Sequence, residues 1–161
     1  MKKVIVFGNS GSGKSTLAKK LSSDHNLAHL DLDTVAWDME PEPIRRPIEK
    51  SKQLIDKFTE ENEAWVVEGC YADLLELLTD DCTQMIFMNL PVDACIANAK
   101  KRPWEPHKYE SKQAQDANLA MLIDWIKQYT QRDDTFSQAA HQALFDGFDG
   151  DKVMYVENQR G

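Results

Sequence analysis

The chain has 161 residues, 19 of them basic and 27 acidic, for a formal net charge of −8 at pH 7. Hydrophobic residues make up 42% and charged residues 29%, ordinary for a globular chain with one core; seven Gly and six Pro are too few for a low-complexity or collagen-like chain, and no apolar run approaches the roughly 20 residues that span a bilayer. The acidic balance gives no general attraction for nucleic acid or an anionic membrane, and neither is expected as a partner.

Val4-Ile5-Val6-Phe7 is a continuous apolar run, as expected of a strand buried on both faces of a parallel sheet. It stops after four residues at Gly8, too short for a signal peptide, so a cytoplasmic location is expected. Leu17, Ala18 and Leu21 recur at helical spacing. Ala28 to Leu32 predicts a second strand, and Asp33 to Pro47, with three of the six prolines, an irregular segment. A helix over about Ile48 to Asn62 is expected to bury Leu54, Ile55 and Phe58. Ala64-Trp65-Val66-Val67 is a third strand, Tyr71 to Leu78 a short helix, and Met85-Ile86-Phe87-Met88 a fourth strand.

Pro91 suits the first turn of a helix running to about Lys101, where its missing N–H would be unpaired in any case. Ala117, Met121, Leu122, Trp125 and Tyr129 mark the inner face of a helix over about Ser111 to Gln131. A last helix spans roughly Phe136 to Phe145, with Thr135 and Gln138 spaced as a capping box and Gly147 as its stop. Val153-Met154-Tyr155-Val156 is the fifth strand. Strands alternating with helices predict a single α/β domain with a mainly parallel sheet and right-handed crossovers. Cys70, Cys82 and Cys95 form no CxxC and are odd in number, so they read as small buried hydrophobes in a reducing compartment.

Gly8-Asn9-Ser10-Gly11-Ser12-Gly13-Lys14-Ser15 matches G-x-x-x-x-G-K-[ST], the phosphate-binding P-loop. A chance match in a chain of this length has a probability of roughly half a per cent from average residue usage, and its place between a buried strand and an amphipathic helix lowers that further. Glycines let backbone N–H groups reach phosphate oxygens. Lys14 carries a point charge for the β- and γ-phosphates, Ser15 a hydroxyl for Mg²⁺, and the helix that follows its positive dipole end. Asn9, Ser10, Gly11, Ser12, Gly13, Lys14, Ser15 and Thr16 are therefore the expected ATP-binding residues.

Asp31-Leu32-Asp33 ends the second strand. Alternation in an extended segment would point both carboxylates one way with Leu32 opposite, beyond the carboxyl end of the sheet where ligands sit. The pair is placed to hold hydrated Mg²⁺ and to accept a proton, or else to serve as solvated capping residues. Glu68 ends the third strand, either as a metal- or water-orienting acid or as an ordinary polar strand end. Lys101 and Arg102 precede Pro103-Trp104-Glu105-Pro106-His107, a loop that would bring Arg102 over a triphosphate; a solvated helix terminus is the competing account. Arg45 and Arg46 with Trp37 are candidates for an acceptor pocket, against plain surface charge. His25, His29, His107 and His141 carry no motif of their own, and Trp125 and Tyr129 read as core.

Gly8 to Thr16, His29 to Asp33, Trp37 and Trp65-Val66-Val67-Glu68-Gly69-Cys70-Tyr71 together resemble the small P-loop kinases of the adenylate kinase and shikimate kinase group. With Met85 to Pro91 they resemble more closely the topology modulation protein branch. The resemblance covers about residues 1–105. It implies a three-layer P-loop NTPase fold, a five-stranded parallel sheet in the order 2-3-1-4-5 between helices. It also implies an acceptor-binding segment near 34–62, a short lid near 101–109, and phosphoryl transfer from ATP with Mg²⁺ to a small-molecule acceptor. By similarity, Asp33 would deprotonate the acceptor hydroxyl, Asp31 would hold a water on Mg²⁺ with Ser15 and Glu68 nearby, and Arg102 would be the lid arginine. Glu68-Gly69-Cys70 departs from the glycine run of shikimate kinases, and Ala72-Asp73 from the Pro-Arg of nucleoside monophosphate kinases. The expectation is a small-molecule kinase; a nucleotide-dependent switch with little hydrolysis and a nucleoside or nucleotide kinase are the alternatives. Monomer and homodimer stay equally open.

Overall fold

The computed structural model describes residues 1–38, 40–106 and 109–158; His107, within the expected lid, lies outside them. The first half of the chain runs β1 (Lys3–Gly8), α1 (Lys14–His25), β2 (Ala28–Asp31), α2 (Asp33–Ala36), β3 (Trp37–Asp38), β4 (Ile44–Arg45), α3 (Ile48–Glu61) and β5 (Trp65–Gly69). It continues through α4 (Ala72–Leu75), a 3₁₀ turn (Glu76–Leu78), β6 (Gln84–Met88), α5 (Val92–Lys101), α6 (Lys112–Lys127), α7 (Gln138–Asp146) and β7 (Asp151–Tyr155).

Five strands form one parallel sheet in the order β2-β5-β1-β6-β7. Leaving out the two-stranded β3–β4 ribbon, this is the expected 2-3-1-4-5. The apolar runs are continuous because both faces are covered. Ile5, Phe7, Trp65, Val67, Met85 and Phe87 face a core closed by Ile55 of α3, Leu74 and Leu75 of α4 and Leu144 of α7. Val4, Val6, Val66, Ile86 and Met88 face the opposite core, closed by Ala18 of α1, Cys95 and Ala99 of α5 and Ile126 of α6. Among the described residues no helix is long and apolar enough to cross a membrane.

Several local expectations are corrected by packing. The segment expected to be irregular holds α2 and the antiparallel β3–β4 pair, tied by Arg46, which bonds Asp38 Oδ1 at 2.9 Å and the carbonyls of Val35 and Trp37. On α3, Leu54 is 40% exposed while Ser51 is buried, because the Ser51 hydroxyl donates to Val35 O at 2.9 Å and is satisfied there. Of the expected stripe Ala117 and Met121 are exposed, while Leu122 packs on the core as expected, joined there by Leu119 and Ile126. Helix α7 is capped by Ser137, whose Oγ accepts from Ala140 N at 3.0 Å. Thr135 has other work, its Oγ1 accepting from Asp73 N at 2.8 Å and its carbonyl from Ala72 N at the start of α4. All three cysteines are free thiols, with Cys95 buried and Cys70 and Cys82 half-buried.

His141 is fully buried between Tyr129 and the chain after β5. Its Nε2 donates to Cys70 O at 2.8 Å and its Nδ1 accepts the Tyr129 hydroxyl at 2.7 Å, with Phe7 and Phe87 against the ring. Burial holds it neutral and lowers its pKa from 6.5 to about 4. Below pH 6.5 the unfolded chain takes up a proton that the folded protein refuses, so stability falls as pH drops until about pH 4. Integrated over that window the loss is about 3 kcal/mol. Urea unfolding of the wild type and His141→Gln at pH 7 and pH 4.5 checks it: the variant is expected to show a shallower loss, and parallel losses would refute the assignment.

Candidate active site

Parallel register brings four strand ends to one edge of the sheet. Asp31 pairs with Glu68, Phe7 with Gly69, and Gly8 with Met88. Ligands of open α/β sheets sit at this carboxyl edge. A cleft of about 520 Å³ opens there, lined by Ser10, Gly11 and Gly13–Thr16 of the loop, by Asp31, Asp33 and Glu68, and by Asn98, Lys101 and Arg102 at the end of α5.

The loop has the shape its sequence predicts. Gly11 has φ +78°, and a Cβ there would lie 2.4 Å from the Cys95 carbonyl oxygen; Gly13 has φ +87° where α1 begins. At Gly11 only glycine fits both the conformation and the space, and at Gly13 the positive φ alone favours it. Asn98 Nδ2 donates to Gly11 O at 2.8 Å, and Lys14 Nζ reaches across the loop to Asn9 O at 2.9 Å. No side chain caps α1, so its first-turn N–H groups are left for an anion.

Glu68 is almost fully buried, and each of its oxygens has a partner. Oε1 accepts the Ser15 hydroxyl, and Oε2 lies 2.5 Å from His29 Nε2. A serine hydroxyl whose proton goes to Glu68 turns its lone pairs toward a cation. Among the described residues no group of three or more His, Cys, Asp or Glu is arranged to hold a metal by itself. That donor set fits Mg²⁺, which keeps waters and takes one or two protein oxygens beside substrate phosphates, and does not fit a cation needing a closed protein cage.

Asp31 and Asp33 both line the cleft, by a different route from the one alternation suggested. The chain leaves the extended conformation at Leu32 (φ −62°, ψ −21°), and Asp33 starts α2. Asp33 N donates to Asp31 Oδ1 at 2.9 Å, while Leu32 is buried beneath them. The Tyr71 hydroxyl donates to Asp33 Oδ1 at 2.5 Å, and Trp37 Nε1 donates to that hydroxyl at 2.8 Å.

Arg102 caps α5, lines the cleft and pairs with Glu105 Oε1 at 3.3 Å. The chain beyond it is tied to α6, with Glu105 N on Gln115 Oε1 at 2.8 Å and Gln115 Nε2 on Pro103 O at 3.0 Å. Trp37, Arg45 and Arg46 are not among the lining residues. Arg45 is held by Asp73 at 3.0 Å and lies over the Tyr71 ring, and Arg46 is spent on the ribbon. Sequence reasoning assigned no role to His29, Tyr71 or Asn98. His29 stands two residues before Asp31 on the same strand, a same-side signal that was there to be used. Cys70 also lines the cleft, and burial pushes its thiol up to about 12, away from the thiolate form that reactive cysteines use.

A family model described as an AAA domain matches residues 4–118. The uncharacterised protein YqaC of Bacillus subtilis (strain 168) is 27% identical over 109 residues, 68% of this chain and 61% of that protein, so the match spans less than two thirds of the relative's length. A sugar kinase structure from Janibacter sp. HTCC2649 superposes with a TM-score of 0.55 at 12% identity, covering 99% of this chain and 87% of that one. Shikimate kinase from Bacteroides thetaiotaomicron gives 0.49 at 14% identity, over 90% and 97%. At these identities the likeness to the sugar kinase is one of fold.

Proposed function

The chain belongs to the AAA domain family, and from that premise we propose that it is a phosphotransferase moving the γ-phosphoryl group of Mg·ATP to the hydroxyl of a small acceptor. The observation that carries this reading is the meeting of a complete P-loop with Asp31, Asp33 and Glu68 in one cleft. A switch protein needs the loop, but it does not need an exposed carboxylate poised beside the phosphates. Three free thiols and a net charge of −8 agree with a cytoplasmic enzyme that does not bind nucleic acid directly.

In the proposed step the acceptor oxygen attacks the γ-phosphorus, the bond to the β,γ-bridging oxygen breaks, and ADP leaves. Asp33 takes the acceptor's proton. Lys14 and the loop amides hold the phosphates in place, and Arg102 faces the charge that spreads over the moving group. In such reactions catalysis is mostly positioning plus electrostatic stabilisation. Ser15, held by Glu68, and Asp31 would bind Mg²⁺, which supplies charge neutralisation on the phosphates. The acceptor segment near 34–62 and closure of the chain near 101–109 belong to the same reading.

The test is ADP release from Mg·ATP by the pure protein with shikimate, gluconate, nucleosides and nucleoside monophosphates as acceptors. One acceptor is expected to stimulate release well above the rate with water alone. Tight ATP binding with no stimulation by any of them would favour a nucleotide-dependent switch.

A further inference from the structure

Tyr71 follows β5, caps α4 with its carbonyl, and is 3% exposed. Resting on the kinase reading above, we propose that Tyr71 is a positioning residue for phosphoryl transfer: its hydroxyl holds the Asp33 carboxylate in the orientation that meets the acceptor, and Trp37 sets the direction of that hydroxyl.

The hydrogen-bond chain has one sense only. An indole N–H is a donor and nothing else, so Trp37 must fill a lone pair on the Tyr71 oxygen at 2.8 Å. The single phenolic proton is then left for Asp33 Oδ1 at 2.5 Å. Burial, and after it the Asp33 charge, pushes the phenol far above its ordinary pKa, so it remains a donor throughout the working pH range. The ring is fixed as well: the Arg45 guanidinium lies 5.0 Å from its centroid, Phe136 packs edge-on at 5.3 Å, and Arg45 is itself held by Asp73 at 3.0 Å.

Asp33 is exposed on the first turn of a four-residue helix, and the Tyr71 hydroxyl sets a fixed donor on one of its carboxylate oxygens. A buried, immobilised phenol restricts it before the acceptor arrives, so less ordering remains to be done in the transition state. The other Trp37 neighbour in this chain of contacts is the β3–β4 ribbon, whose Trp37 carbonyl is gripped by Arg46. Through Tyr71 and Trp37 the carboxylate is thus tied to the ribbon.

A merely structural tyrosine and a positioning one are separated by a kinetic cycle. The probe is Mg·ATP with the panel acceptor that most stimulates the wild type. Tyr71→Phe keeps the ring and is expected to lower kcat about ten-fold, the scale of one lost hydrogen bond to a charged group. KM for ATP should stay at the wild-type value. In an Asp33→Asn background the same change should cost nothing further, because its effect passes through Asp33. A wild-type kcat in Tyr71→Phe, or a full ten-fold loss in both backgrounds, would overturn the proposal and leave the kinase reading standing.

A second arm needs no turnover. The indole N–H signal of Trp37, identified in ¹H–¹⁵N spectra by its loss in Trp37→Phe, should shift in Asp33→Ala. An unmoved signal would break the proposed chain. Absence of ADP release from the wild type with every acceptor would instead overturn the kinase reading, and the catalytic part of this proposal with it.

Discussion

Lys14→Ala is expected to lower acceptor-stimulated ADP release by about 10²–10³-fold, the loss typical of removing one preorganised donor to developing charge. The lysine folds across the loop to Asn9 O, so its ammonium is already over the concavity that the glycines open. An alanine removes that charge without changing a backbone conformation, since Lys14 lies in the first turn of α1 where alanine is well tolerated. Initial rates of ADP release for wild type and variant, together with thermal melts to show both are folded, check the expectation. An unchanged rate would dissociate the loop from the chemistry altogether.

Asp33→Asn is expected to cost about 10²–10⁴-fold in kcat, the range of a positioned general base, with KM for ATP near its wild-type value. Asparagine preserves the shape and can still accept the Tyr71 hydroxyl, so the hydrogen bond seen in the structure survives and only basicity is lost. Steady-state kinetics at saturating acceptor separate kcat from KM. A variant with normal kcat would take the base assignment from Asp33 and reopen it for Asp31, which lines the same cleft two residues earlier.

The two variants probe two residues of one cleft, and their effects should differ in kind. In the proposed reaction Lys14 would serve the nucleotide, on which both binding and turnover depend. Asp33 would serve the acceptor's proton, where turnover alone is at stake. Double replacement should be less than multiplicative, because groups acting on the same transition state are strongly coupled.

Much of this architecture is legible without coordinates, for reasons that lie in local chemistry. A strand covered on both faces must be apolar throughout, so Val4 to Phe7 and Trp65 to Val67 announce themselves. A phosphate loop needs glycine at fixed positions, and no tertiary context changes that requirement at Gly11 or Gly13. Helix faces are less legible. Ser51 is buried and Leu54 exposed because an unrelated carbonyl, Val35 O, happens to satisfy a hydroxyl. Met121 is 71% exposed because α6 presents a neighbouring stripe to α5.

The candidate site divides along the same line. The amino-acid sequence by itself determined the loop, the candidate carboxylates Asp31, Asp33 and Glu68, and the strand order, since each follows from short-range spacing or from a resemblance carried by contiguous residues. Tertiary structure alone decided that Glu68 joins Ser15 to His29, that Tyr71 and Trp37 hold Asp33, and that Arg45 and Arg46 are tied to Asp73 and Asp38 away from the cleft. These pairings link residues on different elements, up to 53 positions apart. A hydrogen bond has a range of about 3 Å in space and none along the chain, so no periodicity records it.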